Sequence, residues 1–374
     1  MSSIYGRRRC NAFSAGMMSV FEWMLGIPSG VLLLALLAMA CLFSACSSAS
    51  DSSGSDTAVA DAVDARVGDA VSSDTSISDT ASGPDVSSDA LVGAFQVVLA
   101  APVTTTGQEA DGYTSVVGKV YDGPTPEQII WEAAASDGAC RLLKPRVPFC
   151  TQSCGSSAAC VEDNQCQAYP TAHGVGQVLV KGVLTSSGAT EFTLDPVANG
   201  YQTTDVLPYP AFEEGDDISV TAAGSIFAAA FTLKAKGILP VELLNETITL
   251  QTGNALTLTW NSTGQSGIST IFVKLDISHH GGSKGKIECY ADDTGTLTLS
   301  STLLDQLIAL GAAGFPTIVL ERRAVGSATI SAGRVDLTVY SQVEKAVAIP
   351  GLTSCNDNDG CPEGQTCQDN LTCQ

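Results

Sequence analysis

From about Leu91 onward the apolar residues of this chain come in short runs rich in Val, Thr, Ile and Gly, and many alternate with polar ones. In Leu256-Thr257-Leu258-Thr259-Trp260 the leucines and Trp260 share one face. In Lys286-Ile287-Glu288-Cys289-Tyr290 the side chains of Ile287 and Cys289 point one way, those of Glu288 and Tyr290 the other. A period of two is the mark of a strand with one buried face. The pattern predicts strands from Phe95 to Leu99, Tyr113 to Tyr121, Gly176 to Leu184, Thr190 to Leu194, Asp217 to Thr221 and Ile226 to Lys234. It continues with Thr247 to Leu250, Leu256 to Trp260, Thr270 to Ile277, Lys286 to Tyr290, Thr296 to Leu299, Thr317 to Glu321 and Arg334 to Tyr340. Ile129-Ile130-Trp131 and Ala139 to Leu143 read as a hairpin across Ser136-Asp137-Gly138, with Trp131 in the core beneath it.

Turn signals such as Thr263-Gly264 and Asp293-Thr294-Gly295 separate these runs, and no regular alternation of strand and helix patterns occurs. The expected fold class is therefore all-β, a β-sandwich-like body. One segment departs from the pattern. Leu303, Leu304, Leu307, Ile308 and Leu310 form a helical stripe before Gly311, with Thr302 and Asp305 as a capping-box variant. It predicts two helical turns packed over an open end of the sheets.

The start of the chain is of another kind. Arg7, Arg8 and Arg9 precede the apolar run Val31 to Phe43, which falls short of the roughly 20 residues a spanning helix needs. A basic start, a short apolar run and small residues before a cut site mark a secretory signal peptide. The motif Leu42-Phe43-Ser44-Ala45-Cys46 resembles a bacterial lipoprotein signal. Phe43 stands where that family usually has Leu, and Cys41 after Ala38-Met39-Ala40 is a weaker rival. The resemblance implies that Cys46 becomes the first mature residue and carries a diacylglycerol, and that Ser47 after it favours the outer membrane of a diderm bacterium. Two acyl chains hold a protein on a membrane stably, at about 0.8 kcal/mol per buried CH2. The alternative is an ordinary secreted protein cut after Ala45, with Cys46 a spare thiol.

Residues 1–45 are thus the expected signal, and 46–90 an expected tether. The latter is nearly all Ser, Asp, Ala, Gly, Thr and Val, with Arg66 its one basic residue. Its aspartates, many five apart, match neither strand nor helix periodicity, and such a composition buries too little apolar area to order itself. The rest divides into a β-rich region at 91–173, a sandwich-like domain at 174–350 and a cysteine-rich module at 351–374.

Cys140, Cys150, Cys154, Cys160 and Cys166 form an odd-numbered cluster that Cys289 makes even. The expected pairs are Cys140 with Cys289, Cys150 with Cys160 and Cys154 with Cys166, although sequence alone does not choose among the alternatives. Zinc held by this cluster, with His173 nearby, is the rival; export argues against it, because oxidising compartments favour disulfides and zinc needs thiolates. At the other end Cys355, Cys361, Cys367 and Cys373 fall six apart, around a Cys-Pro-x-Gly-x-x-Cys core at Cys361 to Cys367. This resembles the small cysteine-rich modules of secreted proteins. Cys154, Cys160 and Cys166 repeat the spacing less faithfully. With almost no core, such a segment depends on crosslinks, each closing a loop of about 13 residues and contributing about 3 kcal/mol in the chain-entropy model.

Other chemistry is thin. No Gly-x-Ser-x-Gly elbow, His-Glu-x-x-His helix or phosphate-cradling loop occurs, so no catalytic residue, metal ligand or cofactor is assigned and enzymatic activity is not expected. His279-His280, with Asp276 upstream and Asp292-Asp293 beyond, could gather a metal if the flanking strands form a hairpin that brings residues 276 and 292 together. Glu213-Glu214 and Asp216-Asp217 could supply the paired acids of a glycoside hydrolase, but they sit in a turn where exposed acids are ordinary. Asp357, Asn358, Asp359 and Gly360 look like half a calcium loop that lacks the closing Glu. Asn245-Glu246-Thr247 and Asn261-Ser262-Thr263 match the glycan acceptor rule as chance matches.

A net charge of -21 excludes nucleic acid as a partner, since that binding demands a basic footprint. The expected function is that of a surface-anchored lipoprotein with a structural, adhesive or protein-binding role. Its expected partners are membrane lipid, through acylated Cys46, and a cell-surface protein or glycan. The alternative is a carbohydrate-binding or carbohydrate-processing module, which an exposed line of aromatic residues would favour.

Overall fold

The computed structural model describes residues 90–374, apart from 106 and 107, and no side chain is described from 104 to 109. The signal, Cys46 and the tether lie outside the described residues. Contacts group the described residues as one compact unit. Its first strands are β1 (Leu91–Ala100), β2 (Val103–Thr105), β3 (Gln108–Ala110), β4 (Tyr113–Val120), β5 (Ile130–Asp137), β6 (Cys140–Arg146), β7 (Ala158–Glu162) and β8 (Gln165–Ala168). Next come β9 (Val178–Lys181), β10 (Glu191–Leu194), β11 (Gly200–Gln202), β12 (Asp217–Ala222), β13 (Phe231–Lys236), β14 (Ile248–Thr249) and β15 (Leu256–Thr259). The last are β16 (Thr270–Asp276), β17 (Lys286–Asp292), β18 (Thr296–Leu299), β19 (Thr317–Ile330) and β20 (Gly333–Ala348), with the helix α1 (Ser301–Ile308) before β19.

One large sheet organises them. Its strands run β11-β4-β1-β20-β19-β16-β17-β6-β5, with β14 pairing β20, so strands from both the 91–173 and the 174–350 stretches share it. Its inner face carries two cores. Phe95, Val97, Leu99, Val116, Leu337 and Val339 pack against a four-stranded sheet of order β10-β9-β12-β13, where Val180, Ile218, Val220 and Leu233 face them. This is the sandwich. Further along, Ile271, Val273, Leu275, Ile287, Ile318 and Leu320 pack against Leu258 and Leu299 of the β15-β18 pair and against Leu303, Leu304 and Leu307 of α1. The body is thus β-sheet with one short helix, followed by a disulfide-bonded C-terminal module.

The helix forms as its stripe predicts, but Ser300 caps it: the Ser300 side chain accepts from the Leu303 N–H. Asp305 turns away to accept from the Gly253 N–H at 2.7 Å. The hairpin of β5 and β6 also forms, its turn at Gly138 and Ala139. Trp131 departs from expectation, standing half-buried on the outer face, with the Lys286 ammonium 4.0 Å from its ring centre. Ile226, expected to open a strand, is fully exposed, and the strand begins at Phe231.

The two longest strands exceed what the sequence predicts, and one residue explains much of this. Ile318, Leu320, Arg322 and Ala324 all point inward along β19, so a guanidinium lies between the two cores with no exposed surface. Arg322 Nε donates to Asp293 Oδ2 at 2.5 Å and Nη2 to the Asn261 carbonyl at 2.6 Å, while Nη1 reaches the Leu239 and Pro240 carbonyls. Asp293 also accepts from Trp260 Nε1 and Ser269 Oγ, each at 2.7 Å. A charge this deeply buried is tolerable only when paired and hydrogen-bonded on every side.

Candidate functional site

Ten cysteines in the described residues form five disulfides: Cys140–Cys289, Cys150–Cys160, Cys154–Cys166, Cys355–Cys367 and Cys361–Cys373. Cys140 and Cys289 face each other across β6 and β17, which ties the two stretches of the chain into one sheet. The sulfurs of Cys150, Cys154 and Cys166 lie within 4.8 Å of one another, as do those of Cys355, Cys361 and Cys373. Each is spent in a disulfide and offers no thiolate to zinc. His173 is engaged elsewhere, its Nε2 3.4 Å from Asp122 Oδ2 and its ring stacked on Phe227.

The other candidates separate. In the β16–β17 hairpin Asp276 stands opposite Lys286 and Asp292 opposite Thr270, so residues 276 and 292 occupy opposite ends and do not meet. Strand pairing in register forces this outcome. Asp276 accepts from Ser278 N–H and Oγ, closing the loop that carries His279 and His280. Among the acids of the 213–217 turn, Asp216 accepts from the Glu213 N–H, Asp217 pairs with Lys236 at 2.7 Å and Glu214 accepts from the Gly264 N–H. They hold loops, each with its own partner. Asn245 and Asn261 use both ends of their side-chain amides in hydrogen bonds, which accounts for both glycan-like motifs as structural asparagines.

On the outer face of the large sheet, charged and aromatic side chains cover one another. Lys286 and Arg141 flank Glu288 at 2.8 and 3.9 Å. Arg323 lies over the rings of Phe272 and Tyr290, at 5.1 and 5.2 Å, and beside Glu321 at 3.7 Å. Burial raises the Glu321 carboxyl above its ordinary range, against the pull of Arg323 and Lys274. Tyr340 is pushed up to about 12 by burial, with the Glu321 charge adding to it. Cations occupy the ring faces of Trp131, Phe272 and Tyr290, and Trp260 is buried. These rings form no exposed line of the kind a sugar stacks on.

The two cysteine modules reward closer comparison. In each, the first cysteine bonds the third and the second bonds the fourth. Cys160 faces Cys166 across the β7–β8 hairpin, and Cys367 faces Cys373 across another. The residue four beyond the third cysteine is left-handed in both, Asn164 at φ 61° and Leu371 at φ 59°. Such φ values are uncommon outside glycine. Six-residue spacing, bridging and this turn together make the segments 154–166 and 361–373 one structural unit used twice.

Their surroundings differ. The C-terminal module grips Gly314 from two sides: the Gly314 N–H donates to the Asn370 carbonyl at 2.7 Å, and Ser354 Oγ donates to the Gly314 carbonyl at 2.6 Å. Cys355 and Thr372 are buried there. The first module is fastened to the body by polar bonds in solvent, among them Arg146 to Asp163 at 3.2 Å and Gln167 Nε2 to the Pro124 carbonyl at 2.8 Å. Val147, Phe149 and Tyr169 beside it are 73, 70 and 45% exposed. Sequence reasoning passed over these residues, and the available signal was Phe149 directly before Cys150, an aromatic with no alternating partner. No protein-family model matches the chain, and no curated protein matches it.

Proposed function

We propose that the protein is a surface-anchored lipoprotein, held to the outer membrane by acylated Cys46, whose folded body has a protein-binding role in adhesion or surface structure. The observation that carries the protein-binding part is the exposure of Val147, Phe149 and Tyr169, which flank the segment that the two disulfides of the first cysteine module close. Large apolar side chains kept exposed on a rigid support suit association, because little ordering entropy is then lost on binding. The disulfides support an oxidising compartment. The lipobox-like run before Cys46 supports the anchor.

Two measurements test this reading. Mass spectrometry of the mature N-terminal peptide is expected to find Cys46 as the first residue with a diacylglycerol; an unmodified Cys46 in an intact cytosolic chain overturns the anchor. A photo-crosslinking amino acid placed at position 149 in living cells is expected to give a discrete protein adduct. The same group at Val197, which is 79% exposed on the body, is expected to give none. No adduct from 149, or equal adducts from both positions, overturns the protein-binding role.

A further inference from the structure

The loop between β16 and β17 carries two adjacent histidines, and its chemistry stands apart from the protein-binding reading. In extended chain the side chains of His279 and His280 would point to opposite sides. His280 instead takes the left-handed conformation, φ 61°, which turns its side chain back beside that of its neighbour. The two imidazole rings lie 3.9 Å apart between centres, inclined at 53°. His279 is half-buried and His280 exposed, and among the described residues their ring nitrogens have no hydrogen-bond or ion-pair partner. The backbone beneath them is firmly held. The Gly281 N–H donates to the Ser278 carbonyl and the Phe315 N–H to the His279 carbonyl, each at 2.8 Å, while Ser278 Oγ accepts from the Lys284 N–H at 3.0 Å. Gly281 packs main chain to main chain on Ala313 and Gly314, which leaves no room for a Cβ. Gly314 is in turn fixed by Asn370 and Ser354 of the C-terminal module. Imidazoles on so fixed a backbone meet a ligand with little ordering left to lose.

We propose that His279 and His280 together bind one divalent copper ion, with water in the remaining coordination positions. With metal–nitrogen bonds of about 2.0–2.1 Å, the centres of two imidazoles on one ion stand about 4.5 Å apart at a right angle and about 5.2 Å apart in a tetrahedral pair. The observed 3.9 Å is nearer the right angle and reaches it by opening about 0.6 Å, which rotation of the exposed His280 side chain supplies. Right-angled nitrogen ligands suit square-planar Cu(II) or Ni(II), and the Irving–Williams order favours copper of the two. Among the described residues no carboxylate or cysteine joins the pair as a third protein ligand, which leaves the ion open to solvent. The net charge of -21 draws a cation toward the molecule.

The test is titration of the full-length protein with Cu(II) in a glycine buffer that competes for the ion, followed by pulsed EPR of the loaded protein. One saturable ion per chain is expected, with two coordinated imidazoles. His280→Asn, a residue that also tolerates the left-handed region, and His279→Gln are each expected to weaken binding tenfold or more and to leave a single imidazole on any copper still bound. The only other histidine, His173, stacks on Phe227, and His173→Gln is expected to change nothing. Zn(II) is expected to bind at least tenfold more weakly than Cu(II). The proposal is overturned by absence of saturable binding, by copper held through oxygen ligands alone, by binding indifferent to His279→Gln or His280→Asn, by loss on His173→Gln, or by zinc binding as tightly as copper.

Discussion

Segments 150–166 and 355–373 close the same interlocked loops around the same kind of hairpin, but the second is clamped to a buried main-chain seat and the first is fastened to the body through exposed side chains. Disulfides alone therefore do not decide where such a unit packs. What differs is the residue ahead of the first cysteine and the loop that meets it: Ser354 finds Gly314, and Phe149 finds solvent. Crosslinks make each unit rigid by restricting its unfolded chain. Docking is a separate property, added by a hydroxyl and a glycine. The contrast predicts that equal damage to the two modules has unequal reach.

The largest effect should come from the bridges. Each of Cys154–Cys166 and Cys355–Cys367 has a sequence separation of 12, and opening such a loop costs about 3 kcal/mol in the chain-entropy model. Replacing Cys355 and Cys367 by Ser should lower the stability of the whole body by about that amount in urea unfolding, because the module is packed against it. The same change at Cys154 and Cys166 should loosen mainly its own segment, seen as lost amide protection from 147 to 172 with an almost unaltered global midpoint. Equal global losses would erase the distinction between docked and free.

Next in size is the seat itself. Gly314→Ala drives a Cβ into the His279 carbonyl at a positive φ and should cost about 2–3 kcal/mol, releasing the C-terminal module. Gly155 in the first module also has a positive φ, 74°, but open space around it, so Gly155→Ala should cost only about 1 kcal/mol of backbone strain. Thermal unfolding of the two variants checks the difference.

Much of this architecture was legible beforehand, for a physical reason: alternation reports which strand face is buried, and it placed Ile287 with Cys289 and Leu258 with Trp260 correctly inside. The odd cysteine count pointed to a bridge from the first cluster to Cys289, and the structure has it at Cys140, the expected partner. Illegible were features that depend on distant partners. The pattern predicts β19 only as far as Glu321, yet Arg322 keeps the inward phase and is paired by Asp293 from another strand end. The hairpin pattern places Trp131 in the core beneath it, but Lys286 across the sheet receives its ring outside. The clamp on Gly314 joins residues separated by about 40 positions, and nothing local to either end announces it.

A smaller effect separates the modules at single hydrogen bonds. Ser354→Ala removes the bond to the Gly314 carbonyl and should cost about 1 kcal/mol. Phe149→Ala, at the equivalent position, should stay within about 0.5 kcal/mol, as expected for an exposed side chain away from any packed core. Chemical denaturation of both variants tests it, and a costly Phe149→Ala would mean the residue is part of the body after all.

The smallest and most selective difference is in acid. On the return run from the first module, Asp122 Oδ1 accepts from the Thr171 N–H at 2.7 Å, and the Asp122 N–H donates back to the Thr171 carbonyl. That N–H holds the Asp122 carboxyl below its usual range, against a smaller opposing effect of desolvation, and His173 adds to the lowering. A depressed carboxyl contributes its stabilisation fully above its unfolded value of about 3.9, and loses it as pH falls through the lower folded value. Amide protection at Thr171 should therefore fall below pH 4 in the native protein, and Asp122→Asn should remove that step. The main-chain clamp on Gly314 has no titrating group, so Gly314 protection should stay level over the same range. A parallel fall at both amides would show that acid opens the whole body, and that the first module is no more loosely held than the second.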